Sequence, residues 1–378
     1  MLAESFILPD AKLYMCGHSL GPCLLSTQYM MDKTMQDFAL YGVRNWNDQQ
    51  WIDLPFVLGE KIAKLIGALD TEVVVTDSTV VNLFKVLKAA LQLQGDRQLI
   101  LTTDDIFPAD LYIAQGVGMV KRVKPEALID NINEEVAVLM LSHVNYRDAS
   151  LLDMQRINAV AAKHGVLSVW DLSHSIGIVP IDLHGCGADF ALGCTYKYLS
   201  GGPGSPAFVY AHQKHHEKME SPIFGWMGHQ KPFAFEEHYH ASGINKFMGG
   251  TPPILSMKAL ESALAIFNVQ RVQDLYQDAY RHSGFLIDSL RDLNIQVFKP
   301  LERGGHVAFT HDYAYGFSNA LIEAGFICDY RAPHLIRLCI NPLYISMNGI
   351  EDCVRQIQDI EAHALYLKPE YNQMRKVT

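Results

Sequence analysis

The chain has 378 residues, 49% of them hydrophobic and 19% charged, with a formal net charge of −10. That is enough apolar material for one large domain and a smaller companion, and acids and bases are interspersed, with no basic face or tail to meet a nucleic acid. No Arg/Lys-led apolar leader and no run near the length of a membrane span occurs, so a cytosolic protein is expected. The seven cysteines are scattered and form no CxxC pair. They read as reduced thiols, not as a disulfide framework or a zinc site, and no bound metal is expected.

From about residue 57 the pattern alternates helix and strand. Residues 56–67 have helical spacing, 72–76 form a short β-branched strand, 80–93 are helical again and 98–102 make a buried strand. Residues 136–144 give another strand. Residues 154–163 are amphipathic and stop at His164-Gly165, a natural end for a helix, which feeds a strand over 166–171. Strands this apolar, alternating with helices, predict an α/β fold with a mostly parallel sheet covered on both faces. Residues 206–211 follow the strand at 188–193 after a Gly/Pro turn too short for a parallel crossover, so that pair should be antiparallel. A helix over 254–267 should then lead into a smaller α+β domain. The expected division is an N-terminal segment (1–50) shared between the small domain and a dimer interface, a large domain (51–265) and a C-terminal small domain (266–378).

Two of these strands end in ionisable groups. Asp171 closes one, and Tyr196-Lys197 follow the next, 25 and 26 residues later. Open α/β sheets bind ligands at the carboxyl ends of their strands. An acid and a lysine there are what pyridoxal 5'-phosphate chemistry needs: the amine condenses with the cofactor aldehyde, and the acid keeps the pyridine nitrogen protonated. Spacing alone leaves this level with the bland alternative of polar strand ends. His174 is equally balanced between a place over the cofactor and a structural one.

Asp77-Ser78-Thr79 follows a strand and opens a helix, where hydroxyls act as caps and free N–H groups make an anion site. Gly201-Gly202-Pro203-Gly204 lacks the form of a phosphate loop and reads as a tight turn between strands. Gly17-His18-Ser19-Leu20-Gly21 matches G-x-S-x-G, but too little chain precedes it to build the sheet that such an elbow needs. His215-His216 and His238/His240 lack HExxH spacing and read as surface residues. Arg337, inside the apolar run 335–340, needs an anionic partner, and its fork suits a substrate carboxylate.

The segments Trp170-Asp171-Leu172-Ser173-His174 and 188–204 resemble the kynureninase family. So do Gly17-His18-Ser19-Leu20-Gly21-Pro22, residues 46–55, 77–85 and 107–115, Gly225-Trp226-Met227-Gly228-His229, Gly250-Thr251-Pro252-Pro253 and residues 330–337. The matches run in order across nearly the whole chain. The resemblance implies a fold-type I PLP enzyme with a mostly parallel seven-stranded sheet, working as a homodimer with shared active sites. The implied reaction is hydrolytic cleavage of the Cβ–Cγ bond of kynurenine, or its 3-hydroxy form, to anthranilate, or 3-hydroxyanthranilate, and alanine.

Carried over by position, Lys197 would bond the cofactor and Asp171 would pair with the ring nitrogen, with His174 nearby. Phe107 would stack on the ring and Asp110 would lie close to it. Thr79 and the backbone at Val80 would hold the phosphate, helped by Tyr196, Trp226 and Ser19, the last from a partner subunit. Thr251 would line the cofactor and substrate sites, and Arg337 and Trp46 the substrate site. Lys197, Asp171 and Tyr196 would carry the catalysis, Tyr196 as the acid. This chain departs from the family pattern at Cys16, where an Asp is usual, at His18 (Asn), at Val80 (a hydroxyl residue) and at Thr195 (Gly). Competing readings are another fold-type I lyase or desulfurase, a serine hydrolase using Ser19, and a relative that keeps the cofactor without turnover.

Overall fold

The computed structural model describes residues 2–373. Seven strands form the central sheet: β1 (Val73–Val75), β2 (Leu99–Thr103), β3 (Met119–Val123), β4 (Val136–Ser142), β5 (Leu167–Asp171), β6 (Phe190–Gly193) and β7 (Phe208–Ala211). Their spatial order is β1-β7-β6-β5-β4-β2-β3. As expected, β7 runs antiparallel to β6, and it is antiparallel to β1 as well; the other pairs are parallel. β1, β6 and β7 are buried along their whole length, which is why they read as unbroken apolar runs. β3 was not foreseen: it is an edge strand, half solvated and carrying Lys121 and Arg122, the usual protection of an exposed edge. The turn at 201–204 joins β6 to β7, with Gly202 and Gly204 at φ 94° and 69°, a region that side-chain-bearing residues avoid.

The helices around this sheet are α1 (Leu25–Tyr41), α2 (Leu54–Leu65), α3 (Thr79–Leu93), α4 (Pro108–Val117), α5 (Met154–Lys163) and α6 (Ile254–Leu264). The 21-residue α7 (Val269–Ser289) leads into a second, antiparallel sheet of β8 (Gln296–Val297), β9 (His306–Thr310), β10 (Asp329–Arg331) and β11 (Leu335–Cys339), in the order β8-β9-β11-β10. α8 (Ala314–Glu323) and α9 (Met347–Ala362) complete this part. The N-terminal stretch joins it, because Leu13–Tyr14 pairs in parallel with Phe326–Ile327. That pairing carries residues 15–22 across to the central sheet, where Gly21 N–H donates to Tyr196 O at 2.8 Å. No described helix is long and apolar enough to cross a membrane.

Candidate active site

The carboxyl ends of β5 and β6 set the centre. The chain leaves β5 at Asp171, whose Oδ1 accepts the backbone N–H of Ser173 at 2.8 Å. The turn that follows places His174 against Lys197: the Lys197 Nζ lies 3.4 Å from His174 Nδ1 and 3.3 Å from Nε2. Burial, reinforced by the charges of Lys197 and Arg337, holds the His174 imidazole well below its ordinary pKa, so it is neutral beside the amine. Asp110, buried on the first turn of α4, shares a side-chain hydrogen bond with Asp171. Burial and the charge of Asp171 push Asp110 well above the usual carboxylate range, against the pull of Lys197. Asp110 therefore keeps its proton beside Asp171.

Phe107 caps the start of α4, and its ring meets Tyr146 edge-on at 5.2 Å. Trp170 does not line this centre. It is fully buried beneath the sheet, with its Nε1 donating to Asn158 Oδ1 at 3.0 Å. Thr195 Oγ1 donates to Pro206 O at 2.7 Å and pairs with Ser205 Oγ at the same distance, bracing the turn beside the lysine.

Beside Tyr196 opens a cavity of about 520 Å³ whose walls include Ser78, Thr79, Val80, Ser205 and Thr251. Ser78 is the residue preceding α3, and no side chain caps that helix, contrary to the expected hydroxyl cap. The free amides of the first turn thus face the cavity, which is the arrangement that binds a phosphate. Burial, with Cys194 and Asp171 adding to it, pushes the Tyr196 phenol upward, so it stays protonated. A lysine amine, a carboxyl pair and an uncapped helix start fit the aldehyde, the ring nitrogen and the phosphate of pyridoxal phosphate.

Arg337 approaches from β11. It is buried, and the sequence reading missed its nearest anion, Asp329 on the neighbouring β10: Nε donates to Asp329 Oδ1 at 2.8 Å and Nη2 to Oδ2. Nη1 donates to Tyr146 O at 2.7 Å. Burial would raise the Asp329 carboxyl, but His18 and Arg337 outweigh it and hold it well below the usual range. His18 Nε2 lies 3.4 Å from Asp329 Oδ1, and the His18 ring stacks on His306 at 5.1 Å. The Asp329 and Tyr146 contacts had no local signal, since they join residues 8 and 191 positions from the arginine.

The Gly17–Pro22 turn lies against this chain's own lysine segment, with Gly21 on Tyr196. Ser19 sits between two-residue strands, Leu13–Tyr14 and Cys23–Leu24, so no helix opens at it. The strand–turn–helix that a hydrolase elbow requires is absent at that position. Trp46 is edge-on to Trp51, and Trp226 sits among Phe233 and Phe235, with the following Met227 N–H donating to Gly249 O at 3.3 Å, next to the cavity wall at Gly250 and Thr251.

The histidine pairs divide. His238 and His240 are exposed as expected, but His215 bonds Asp189 at 2.8 Å and stacks on Phe190, and His216 bonds Ala211 O at 2.8 Å. Glu72, His184 and His212 have the composition of a metal site. Both Glu72 oxygens are already bonded, to Leu69 N, His184 Nε2 and Gln213 N, and His212 Nδ1 accepts from Lys214 N–H at 3.2 Å, so these groups are engaged with one another and with the backbone.

The same architecture occurs in the cystine C–S lyase C-DES bound to its reaction product cysteine persulfide (TM-score 0.82, 19% identity, covering 93% of this chain and 98% of that one). It occurs again in the apo cysteine desulfurase of Thermococcus onnurineus NA1 (TM-score 0.80, 16% identity, covering 93% and 95%). Identities this low establish the fold alone, that of the fold-type I pyridoxal phosphate-dependent enzymes. Sequence comparison is sharper. A kynureninase of Pseudomonas fluorescens is 38% identical, covering 100% of this chain and 96% of its own. A kynureninase of Burkholderia mallei (strain SAVP1) is 37% identical with the same coverage. A family model described as the kynureninase C-terminal domain matches residues 285–357. The chain belongs to the kynureninase family.

Proposed function

We infer that this chain performs its family's reaction, the hydrolytic cleavage of kynurenine, or its 3-hydroxy form, to the corresponding anthranilate and alanine. The observation that carries the reading is a 38% identity sustained over the full length of both proteins. The convergence of Lys197, Asp171 and Arg337 adds to it. When bound, pyridoxal phosphate supplies an electron sink beside the substrate Cα.

The protein groups divide the remaining work. Lys197 Nζ takes the Cα proton, and the neutral His174 beside it adds no competing charge. Asp171 would hold the ring nitrogen of the cofactor, and Asp110, kept protonated by burial, donates to Asp171 and steadies its position. The first-turn amides of α3, Thr79 and Thr251 hold the phosphate. Arg337 spends three of its five N–H groups on Asp329 and Tyr146. The remainder bind the substrate carboxylate, while Asp329 fixes the plane of the fork. The Tyr196 phenol, kept protonated by burial, returns a proton at Cβ.

The working unit is a homodimer. α1 buries only Thr27 and Thr34 while Leu25, Phe38 and Leu40 are 52%, 55% and 73% exposed, and Phe235 near Trp226 is 79% exposed. Apolar area of that kind calls for a covering partner. A reducing compartment, the cytosol, suits the seven free cysteines. The reading is tested by adding L-kynurenine to the purified holoprotein and following anthranilate fluorescence. Release of anthranilate with equimolar alanine is expected, and a holoprotein that leaves both kynurenine and 3-hydroxykynurenine intact contradicts it.

A further inference from the structure

Lys85 lies on α3 and is completely buried. An ammonium in such a place is a liability unless it is fully paired. Its Nζ donates two bonds of 2.6 Å, one to Asp77 Oδ2 and one to the backbone oxygen of Phe247. Asp77 stands directly before the Ser78-Thr79-Val80 amides and lines the same cavity. It holds a left-handed φ of 45°, and its backbone oxygen is fixed by Ala207 N–H at 2.8 Å. Phe247 begins the segment that leads to Gly250 and Thr251 on the opposite wall of that cavity. The Asp77 carboxylate itself packs toward Gly249, within 3.5 Å of where a Cβ there would stand. One buried cation thus touches both walls of the cup.

A carboxylate at the lip of an anion cup is a problem in its own right. Asp77 would repel a phosphate dianion bound by the α3 amides. Lys85 is the group that offsets it, from a position too deep to touch the anion directly. We propose that Lys85 is a positioning residue for the cofactor phosphate: it neutralises Asp77 at the cup's lip and ties the 247–251 wall to α3. The inference rests on the cofactor reading given above.

The test strips the enzyme of cofactor with hydroxylamine and titrates the apoprotein, in parallel, with pyridoxal phosphate and with pyridoxal, which lacks the phosphate. Bound cofactor is read from its absorbance. In Lys85→Met the affinity for pyridoxal phosphate should fall tenfold or more, while that for pyridoxal changes less than threefold. The double variant Lys85→Met/Asp77→Asn, with both charges gone, should regain most of the loss. Asp77→Asn alone, nearly isosteric and keeping an acceptor for Lys85, should bind pyridoxal phosphate at least as tightly as the wild type. The assignment is overturned if Lys85→Met binds pyridoxal phosphate normally, or loses both ligands equally, as a merely structural lysine would. It is also overturned if the double variant is no better than Lys85→Met, or if Asp77→Asn weakens pyridoxal phosphate alone. A wild-type apoprotein that takes up neither ligand would instead sink the cofactor reading itself.

Discussion

The two ends of the candidate site are built in opposite ways. The lysine end comes from neighbouring strands of one sheet: Asp171 ends β5, Lys197 follows β6, and His174 lies within the intervening connection. The arginine end is assembled from three distant pieces, with Arg337 and Asp329 from the small sheet, Tyr146 from beyond β4 and His18 from the N-terminal segment. The first is rigid because the sheet is. The second is held by charge, with an anion pinned between two arginines and an imidazole. Damage at the first should therefore appear in chemistry, and damage at the second in substrate binding and stability.

The largest effect is expected at the lysine. Lys197→Ala removes the proton acceptor at Cα and should lower kynurenine turnover by at least about a thousandfold in the fluorescence assay, with unfolding by urea little changed. Asp171→Asn should cost on the order of a hundredfold in turnover, since an amide no longer favours a protonated ring nitrogen. Asp110→Asn should cost less, and the gap between the two identifies which carboxyl faces the ring. At the arginine end, Asp329→Ala leaves a buried guanidinium without its anion. It should lower stability by about 3–5 kcal/mol in urea unfolding and raise KM more than it lowers kcat.

The smallest effect concerns pH. Burial holds the His18 pKa down to about 4 in the folded chain, against 6.5 ordinarily. The unfolded chain therefore takes up a proton first as pH falls, and stability declines between about pH 6.5 and 4. Asp329, depressed by its partners, adds a further loss as pH drops below the ordinary carboxylate value and through its own lower one. His18→Asn should flatten the upper part of that decline, by on the order of 1–3 kcal/mol at pH 4. Equal slopes for the two proteins would show that His18 is not held neutral.

The same contrast explains what could be read in the chain. The buried strands β1, β6 and β7 announce themselves as apolar runs, and the short Gly/Pro turn gave the one reversal of direction. β3 could not be found that way, because an edge strand needs charges and its Lys121 and Arg122 hide the pattern. α1 was missed for a related reason: its buried positions are threonines and its apolar ones face outward. Within the site, the Asp171–Lys197 spacing was legible because adjacent strands convert sequence distance into neighbourhood. Arg337 was legible as a buried cation, but Asp329 and Tyr146 were not, since tertiary packing alone chooses between one anion and another. Trp170 shows the limit of adjacency: it directly precedes Asp171 and lies in the core.

The central claim is that Lys197 is the residue that holds the cofactor. Borohydride reduction of the purified holoprotein, followed by peptide mass spectrometry, tests it directly. A single phosphopyridoxyl group on Lys197 is the predicted result. The same mass on Lys85 or any other lysine, or on no lysine, would contradict the account.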